Sequence, residues 1–165
     1  MHGLSRLASA LRLGAYAAGA ALLLTAVANA GECPADKVGK NSLSDAATAP
    51  KDVTDNVLAS IDLASWPGLQ NASVQSDRQF RMRRLEIKPG GVVPLHGHGD
   101  RPALIYVVSG EVTEYSSDCL VPIVHKAGEV SPETHEVSHW WKNTGSETVV
   151  LISADLLRDP SDHNM

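Results

Sequence analysis

Residues 89–98 read PGGVVPLHGH and place His96 and His98 with a single residue between them, shortly after a Pro-Gly-Gly turn signal. On a β-strand, residues two positions apart point to the same side, so both imidazoles can face one point. A third histidine, His139, opens the sequence HWWKN at residues 139–143. On a neighbouring strand it would add a third nitrogen ligand on one side of a divalent ion. The pattern therefore predicts a metal centre held by these three histidines.

The sequence around these histidines has the pattern of a β-protein. Short runs rich in β-forming residues alternate with glycine and proline turn signals, and no long helical periodicity is visible. The predicted strands are 79–88, 103–109, 111–115, 120–126, 137–142 and 148–156. Residues 53–63 fit either a strand or a short helix, because apolar residues recur at both spacings. The predicted fold class is all-β, as a sandwich or barrel.

Two spaced motifs resemble those of the cupin superfamily. The first family motif, G-x5-H-x-H-x(3,4)-E-x6-G, aligns with Gly90, His96, His98 and Gly110, but Ala103 stands where the glutamate belongs. The second motif, G-x5-P-x-G-x2-H-x3-N, is matched by three residues and departed from by two. The matches are Gly128, His139 and Asn143, and the departures are Thr134 for proline and Glu136 for glycine.

The resemblance covers roughly residues 79–157 and implies a small double-stranded β-helix, the jelly-roll barrel of cupins. It also implies a site with three histidines and no motif glutamate, similar to that of thiol dioxygenases, which bind Fe(II). We therefore expect a divalent ion, with Fe(II) favoured over Mn, Ni or Zn. Cupins often pair through sheet edges, so the resemblance also implies a homodimer.

Four further residues are candidates for the site. Asp100 and Glu133 could each replace the absent glutamate as a metal ligand, although neither falls in the motif position. Arg101 could clamp an anionic substrate, against the alternative of a solvated surface arginine. Trp141 shares a strand face with His139 and could line the cavity or belong to the ordinary core.

Arg81 and Arg83 alternate on one strand face with Leu85 and Ile87, which is unusual for a simple core face. One of the arginines could point into the cavity or pair with an acid. The more ordinary interpretation, which we favour at this stage, is an exposed edge strand that carries charge.

The N-terminal 30 residues have the form of a secretory signal peptide. They carry basic residues and no acid, an apolar stretch over residues 13–27, and a small-x-small site that predicts cleavage after Ala30. The alternative is a membrane anchor, for which the stretch is short. We expect a periplasmic or secreted protein without a membrane contact after cleavage. The remaining chain divides into a loose tail, 31–55, and a barrel domain, 56–160.

The charge and the cysteines fit an exported domain. Removing residues 1–30 takes away two of the 14 basic residues and none of the 19 acidic ones, which leaves a formal charge of −7. This excess of acid argues against nucleic-acid binding. Cys33 and Cys119 could form a disulfide in an oxidising compartment or remain as two free thiols, since neither lies in a CxxC.

Two functions agree with these features. The first is an oxidoreductase of the dioxygenase type that acts on a small chelating organic molecule at the metal. The second is a module that binds or senses a metal or small molecule without turnover. The sequence shows no general acid or base beside the histidines, which slightly favours the second.

Overall fold

The computed structural model describes residues 31–69 and 78–158 and consists of eight strands and one 3-10 turn, Leu63–Ser65. The strands are β1 (Lys51–Asp62), β2 (Gln79–Gly97), β3 (Ala103–Ser109), β4 (Glu111–Ser116), β5 (Ile123–Lys126), β6 (Val130–Glu133), β7 (Ser138–Lys142) and β8 (Val149–Leu157). The all-β prediction is confirmed. Within these two ranges, no helix is long and apolar enough to span a membrane.

The strands form a nearly closed sheet in the order β5-β4-β7-β2-β8-β3-β6, and β1 pairs separately with β2. β2 joins the two halves of this barrel. Its first part, Gln79–Ile87, pairs with β8 and β1, whereas Val92–Gly97 pairs with β7. Between them, Gly91 packs so closely on the carbonyl oxygens of Asp52 and Lys88 that a Cβ would lie 2.8 Å from each. The arrangement is the predicted double-stranded β-helix.

The backbone at the motif positions retains the geometry of the predicted turns. Gly110 and Gly128 have φ values of +82° and +94°, which glycine adopts readily. Glu136, which stands where the second motif has glycine, also has a positive φ of +72°. The turn therefore keeps its left-handed conformation although the residue there has a side chain.

The N-terminal boundary differs from the predicted one. β1 begins at Lys51 and pairs with β2 over almost its whole length, so the division at residues 55 and 56 cuts through a strand. For residues 53–63 we expected either a strand or a short helix. The structure has a strand as far as Asp62, and the 3-10 turn begins at the next residue. The predicted signal peptide, residues 1–30, lies outside the described residues, as do residues 159–165.

Residues 31–50 are attached to the barrel although they form no strand. A disulfide joins Cys33 to Cys119, whose Cα atoms are 5.8 Å apart. Val38 forms a β-bridge with Cys119, and the amide of Leu95 donates to the carbonyl of Ala47. The segment predicted to be a loose tail is therefore held at several points along its length.

Apolar side chains fill one end of the barrel and polar side chains fill the other. Inward positions along β2 run from Ile87 and Leu85 to Arg83 and Arg81, because alternate residues of a strand face the same side. The buried apolar cluster consists of Leu85, Ile87, Val93, Val107, Val112, Trp141, Val149 and Leu151.

The arginines of β2 are buried, which corrects the interpretation of an exposed edge strand. β2 lies between β1 and β8, and Arg81 and Arg83 are only 5% and 2% exposed. The carboxylate of Asp155, on β8, compensates the positive charge of these buried arginines. It accepts hydrogen bonds from Nε and Nη2 of Arg81, at 3.0 and 2.7 Å, and from Nη1 of Arg101 at 3.0 Å. Nη2 of Arg83 lies 3.4 Å from the same carboxylate.

Replacing Asp155 with asparagine is expected to lower the free energy of unfolding by about 3 kcal/mol, because it leaves buried guanidinium groups without their shared anion. Glu86→Gln is the matched control. It removes a carboxylate of the same sheet whose ion pair with Arg84 is solvent-exposed, and it should change stability by less than about 1 kcal/mol. Urea unfolding followed by circular dichroism measures both; equal, small effects would contradict the role given to Asp155.

Candidate metal centre

The structure brings the three predicted histidines together. His96 lies at the end of β2 and His98 directly follows that strand, and His139 on β7 is the direct cross-strand partner of His96. Their Nε2 atoms form a triangle in which each side measures 3.2 Å. Nitrogen ligands about 2.1 Å from an ion and at right angles to each other lie about 3 Å apart. At the tetrahedral angle the same ligands lie about 3.4 Å apart, so the triangle matches one face of either an octahedral or a tetrahedral metal site.

The other ring nitrogen of each histidine is held by an acceptor. Nδ1 of His96 donates to the carbonyl of Pro94 at 2.8 Å, and Nδ1 of His98 donates to the carbonyl of Arg101 at 3.0 Å. Nδ1 of His139 donates to the carboxylate of Glu114 at 2.7 Å. A carbonyl oxygen can only accept, so these bonds place the proton of His96 and of His98 on Nδ1. Nδ1 of His139 lies between the carboxylate of Glu114 and the indole N–H of Trp141, which is 3.2 Å away, and the shorter contact to the carboxylate favours a proton on Nδ1 there too. These contacts thereby direct the Nε2 lone pairs to one point, as in known metal sites.

Protonation at this site is set by burial and by the neighbouring carboxylates. Burial, and then the charge of His139, lower the pKa of His96 to about 3 and that of His98 to about 4. Both rings are therefore neutral at physiological pH, as metal ligands must be. Burial also lowers the pKa of His139, but the hydrogen bond to Glu114 and the charge of Glu133 outweigh it and raise the pKa above its usual value.

Three imidazoles with converging lone pairs, two of them buried and that of His96 half-buried, fit a divalent ion. Of the described residues, one group that could hold a metal is His96, His98 and His139, and a second is Glu114, Glu133 and His139. If a metal binds at Nε2, it replaces the proton that the raised pKa of His139 would otherwise keep there. A bound ion also removes the repulsion between lone pairs that face each other at 3.2 Å. The donor set is that of Zn, Fe, Ni or Mn sites.

Glu133 is a carboxylate inside the barrel at the histidine end. It lies on β6, is 4% exposed, and pairs across the sheet with Ala103, the position where the motif glutamate is absent. Its Oε2 lies 3.3 Å from Nδ1 of His139 and 3.9 Å from Nε2 of His98. Burial raises the pKa of Glu133 to about 7. Of the two proposed replacement ligands, this one borders the site.

The other candidates have varied environments. Asp100 is mostly exposed, and its carboxylate forms ion pairs with Arg78 and Arg158, so it belongs to neither metal-binding group. Arg101 is buried rather than solvated, and its guanidinium binds Asp155. Trp141 fills both of its expected roles, because it belongs to the apolar cluster and also lines the cavity beside His139.

Glu114 and His125 form part of the site that the sequence did not reveal. The second carboxylate oxygen of Glu114 accepts from Nε2 of His125 at 2.7 Å, while the first accepts from His139. Burial raises the pKa of Glu114, but these two hydrogen bonds outweigh it and lower the pKa to about 2. His125 is completely buried and stacks on Trp141. Its inward parity on β5 was the only signal available, and its partner depends on the register with β4.

A cavity of about 20 Å³ lies against the histidines, which is room for little more than one water molecule. Its walls include Leu85, Ile105 and Leu151, and its polar lining includes Arg83 and Ser153. Nη1 of Arg83 binds Asp55, and Nη2 contacts Ser153 at 3.3 Å. No acceptor among the described residues reaches Nε of Arg83. Burial lowers the pKa of this guanidinium, although not enough to remove its charge at neutral pH.

Comparisons with known proteins agree with the observed fold. Residues 83–155 match the family model described as "Cupin domain", and no curated protein matches the chain significantly. A predicted oxalate decarboxylase from Thermotoga maritima has a similar structure, with 19% identity and a TM-score of 0.51. The match covers 76% of this chain and 98% of that one.

A second similar structure is an uncharacterized conserved protein with a double-stranded β-helix domain from Klebsiella pneumoniae. It is 16% identical with a TM-score of 0.51, and the match covers 68% of this chain and 84% of that one. At these identities, both likenesses show a shared fold.

Metal binding should release protons, because the pKa of metal-free His139 lies above the usual value of about 6.5. At pH 6 this histidine is mostly protonated. We expect Zn²⁺ to displace at least one proton there, and the apparent affinity to rise with pH by about tenfold per unit for each proton released. Titration calorimetry in two buffers of different ionisation enthalpy measures this. His135→Gln, at an exposed histidine, is the control. Zn²⁺ binding without proton release would contradict the role of His139 as a metal ligand that is protonated in the metal-free protein.

Proposed function

We propose that this protein binds a divalent metal ion through its three clustered histidines and takes up a small, chelating organic anion; the match of residues 83–155 to the family model described as "Cupin domain" supports this proposal. The observation that carries the proposal is the 3.2 Å triangle of Nε2 atoms, each turned inward by a hydrogen bond at the opposite ring nitrogen. Three Nε2 lone pairs that face each other at 3.2 Å repel one another unless a cation or a proton lies between them, and a divalent ion satisfies all three at once.

The guanidinium cluster supports an anionic ligand. Arg81, Arg83 and Arg101 meet around Asp155, and Asp55 binds Arg83, so three cations stand against two carboxylates in this layer. Arg83 is the member that also lines the cavity, and its buried Nε lacks an acceptor among the described residues. A buried donor without an acceptor is unfavourable, and a ligand carboxylate would supply that acceptor.

We further propose an oxidoreductase of the dioxygenase type, with Fe(II) favoured. When bound, a redox-active ion supplies the point where an organic ligand and dioxygen meet and exchange electrons. The chain's own residues do the rest: the histidines hold one face open toward the cavity, Arg83 orients the anion, and the apolar walls exclude water. Dioxygen is the oxidant, and both of its atoms enter the product.

A second candidate is a binding or sensing module without turnover. The size of the cavity favours a module that holds the metal alone, because about 20 Å³ has room for little more than one water molecule and holds an organic molecule only if the walls move. Consumption of dioxygen separates the two candidates, since only the enzyme removes it in proportion to substrate.

Export to the periplasm or the medium is part of the proposal. The signal-like N-terminus predicts it, and the disulfide between Cys33 and Cys119 supports it, because such bonds persist in oxidising compartments. Metal would then be bound outside the cytoplasm.

The His96→Ala/His98→Ala double variant should lose its metal. We expect the purified wild-type protein to contain close to one Fe or Mn per chain by elemental analysis after anaerobic handling, and the variant to contain almost none. His135→Ala, at an exposed histidine, is the matched control and should retain the metal. Equal metal content in the folded double variant would refute the three-histidine site.

Arg83→Lys should weaken anion binding while metal content stays unchanged. Oxalate is the probe, because it is the smallest chelating dicarboxylate and because the Thermotoga maritima relative is named for it. We expect its Kd in the metal-loaded protein to rise by at least about tenfold, since lysine cannot reproduce the guanidinium geometry. Arg84→Lys, on the outer face of the same strand, should bind as the wild type does. Dioxygen uptake recorded with oxalate tests for an oxidase reaction, in which oxalate is oxidised to two CO2 and dioxygen is reduced to hydrogen peroxide. Unchanged oxalate affinity in Arg83→Lys would remove this arginine from the ligand site.

A further inference from the structure

We propose that Glu133, on β6, supplies the metal ligand that the first motif lacks at Ala103. The inference rests on the proposed three-histidine metal site and deepens it. It assigns a fourth ligand from a different strand and limits the exogenous ligand to the two coordination positions that remain in an octahedral ion.

The first argument is the strand register. Ala103 on β3 and Glu133 on β6 are direct cross-strand partners, and both are buried on the inner face of the barrel. Directly opposed residues have their Cβ atoms about 5 Å apart. A carboxylate from position 133 therefore enters the same layer that a glutamate at position 103 would reach, and the small methyl group of Ala103 leaves room for it.

The second argument is an unused oxygen. Oε1 of Glu133 is buried and has no hydrogen-bond partner among the described residues. Oε2 lies 3.3 Å from Nδ1 of His139 and 3.9 Å from Nε2 of His98, so the carboxylate borders the nitrogen triangle and reaches an ion there by a rotation of its side chain. A buried carboxylate oxygen without a donor is costly, and a cation at the triangle would relieve that cost.

The third argument is that the neighbouring carboxylate is already committed. Both oxygens of Glu114 accept short hydrogen bonds, one from His139 and one from His125, each at 2.7 Å. Glu114 is thus a positioning residue that fixes the ring of His139 from behind. Glu133 is the acid in this layer with capacity left for an ion.

A carboxylate added to three neutral imidazoles changes which ions and ligands fit. It neutralises one of the two positive charges and adds an oxygen donor, which favours Mn²⁺ and Fe²⁺ relative to a site of nitrogen alone. Two positions then stay open, which suits a ligand that binds through two oxygens.

The test is Mn²⁺ affinity at pH 8, measured by electron paramagnetic resonance of free Mn²⁺. We expect Glu133→Gln to weaken binding by more than about tenfold, whereas Glu136→Gln, at an exposed acid, should not change it. Glu133→Gln removes a buried charge without changing its shape, so the metal-free variant should unfold at the same temperature as the wild type or higher. Its stabilisation by Mn²⁺ should be smaller.

The rescue variant is Ala103→Glu/Glu133→Ala, which moves the carboxylate to the opposed strand. We expect it to recover most of the wild-type affinity, because both positions reach the same layer. Wild-type affinity in folded Glu133→Gln, or no recovery in the folded rescue variant, would overturn the ligand assignment. If the His96→Ala/His98→Ala variant has lost Mn²⁺ in the same assay, the proposed metal site survives that result. A wild-type protein that binds no Mn²⁺, Fe²⁺ or Zn²⁺ would instead refute the proposed function itself.

Discussion

The two-sided pairing of β2 is the constraint on which the rest of this structure depends. Its first part is held by β8 and β1 and its second part by β7, so a single strand crosses from one half of the barrel to the other. The strand therefore brings its inward arginines and its terminal histidines to the same interior. The close approach of Gly91 to two backbone carbonyls allows the crossing, since a side chain there would clash.

A second consequence is that the barrel must stabilise charges inside itself. Because alternate residues of β2 face inward, Arg81 and Arg83 lie inside the barrel, where isolated guanidinium groups would be very unfavourable. Asp155 on the adjacent strand meets this need because β8 runs beside β2 in fixed register, with Arg81 opposite Asp155 and Arg83 opposite Ser153. The hydrogen bonds to Asp155 depress the pKa of its carboxyl, against the opposing effect of burial. Its stabilising effect is thus present at neutral pH and is lost as pH falls through the lowered pKa.

The sequence predicted the features that depend on short-range spacing. Strand parity placed His96 and His98 on one side, and the two motifs predicted the fold and the approach of His139. The sequence did not predict the features that depend on the register between strands far apart in the chain. Glu114 meets His125 because β4 and β5 pair as they do, and Glu133 faces Ala103 because β6 pairs with β3. The burial of Arg81 and Arg83 was readable from the face they share with Leu85 and Ile87, but the general tendency of charge to stay exposed outweighed that pattern.

The charges in this interior also bear on what the site can accept. The inward layer holds three guanidinium groups against the carboxylates of Asp155 and Asp55, and a divalent ion at the histidines would add two further positive charges. Glu114, which is ionised, and Glu133 together cancel two charges at most, so one positive charge remains in excess. A neutral ligand would leave this excess uncompensated in a buried site, where the cost of unpaired charge is highest. A chelating anion places its negative charge between the ion and Arg83, and so satisfies the metal and the unused guanidinium nitrogen at once. The proposed chelating anion therefore agrees with the excess of positive charge at the polar end of the barrel.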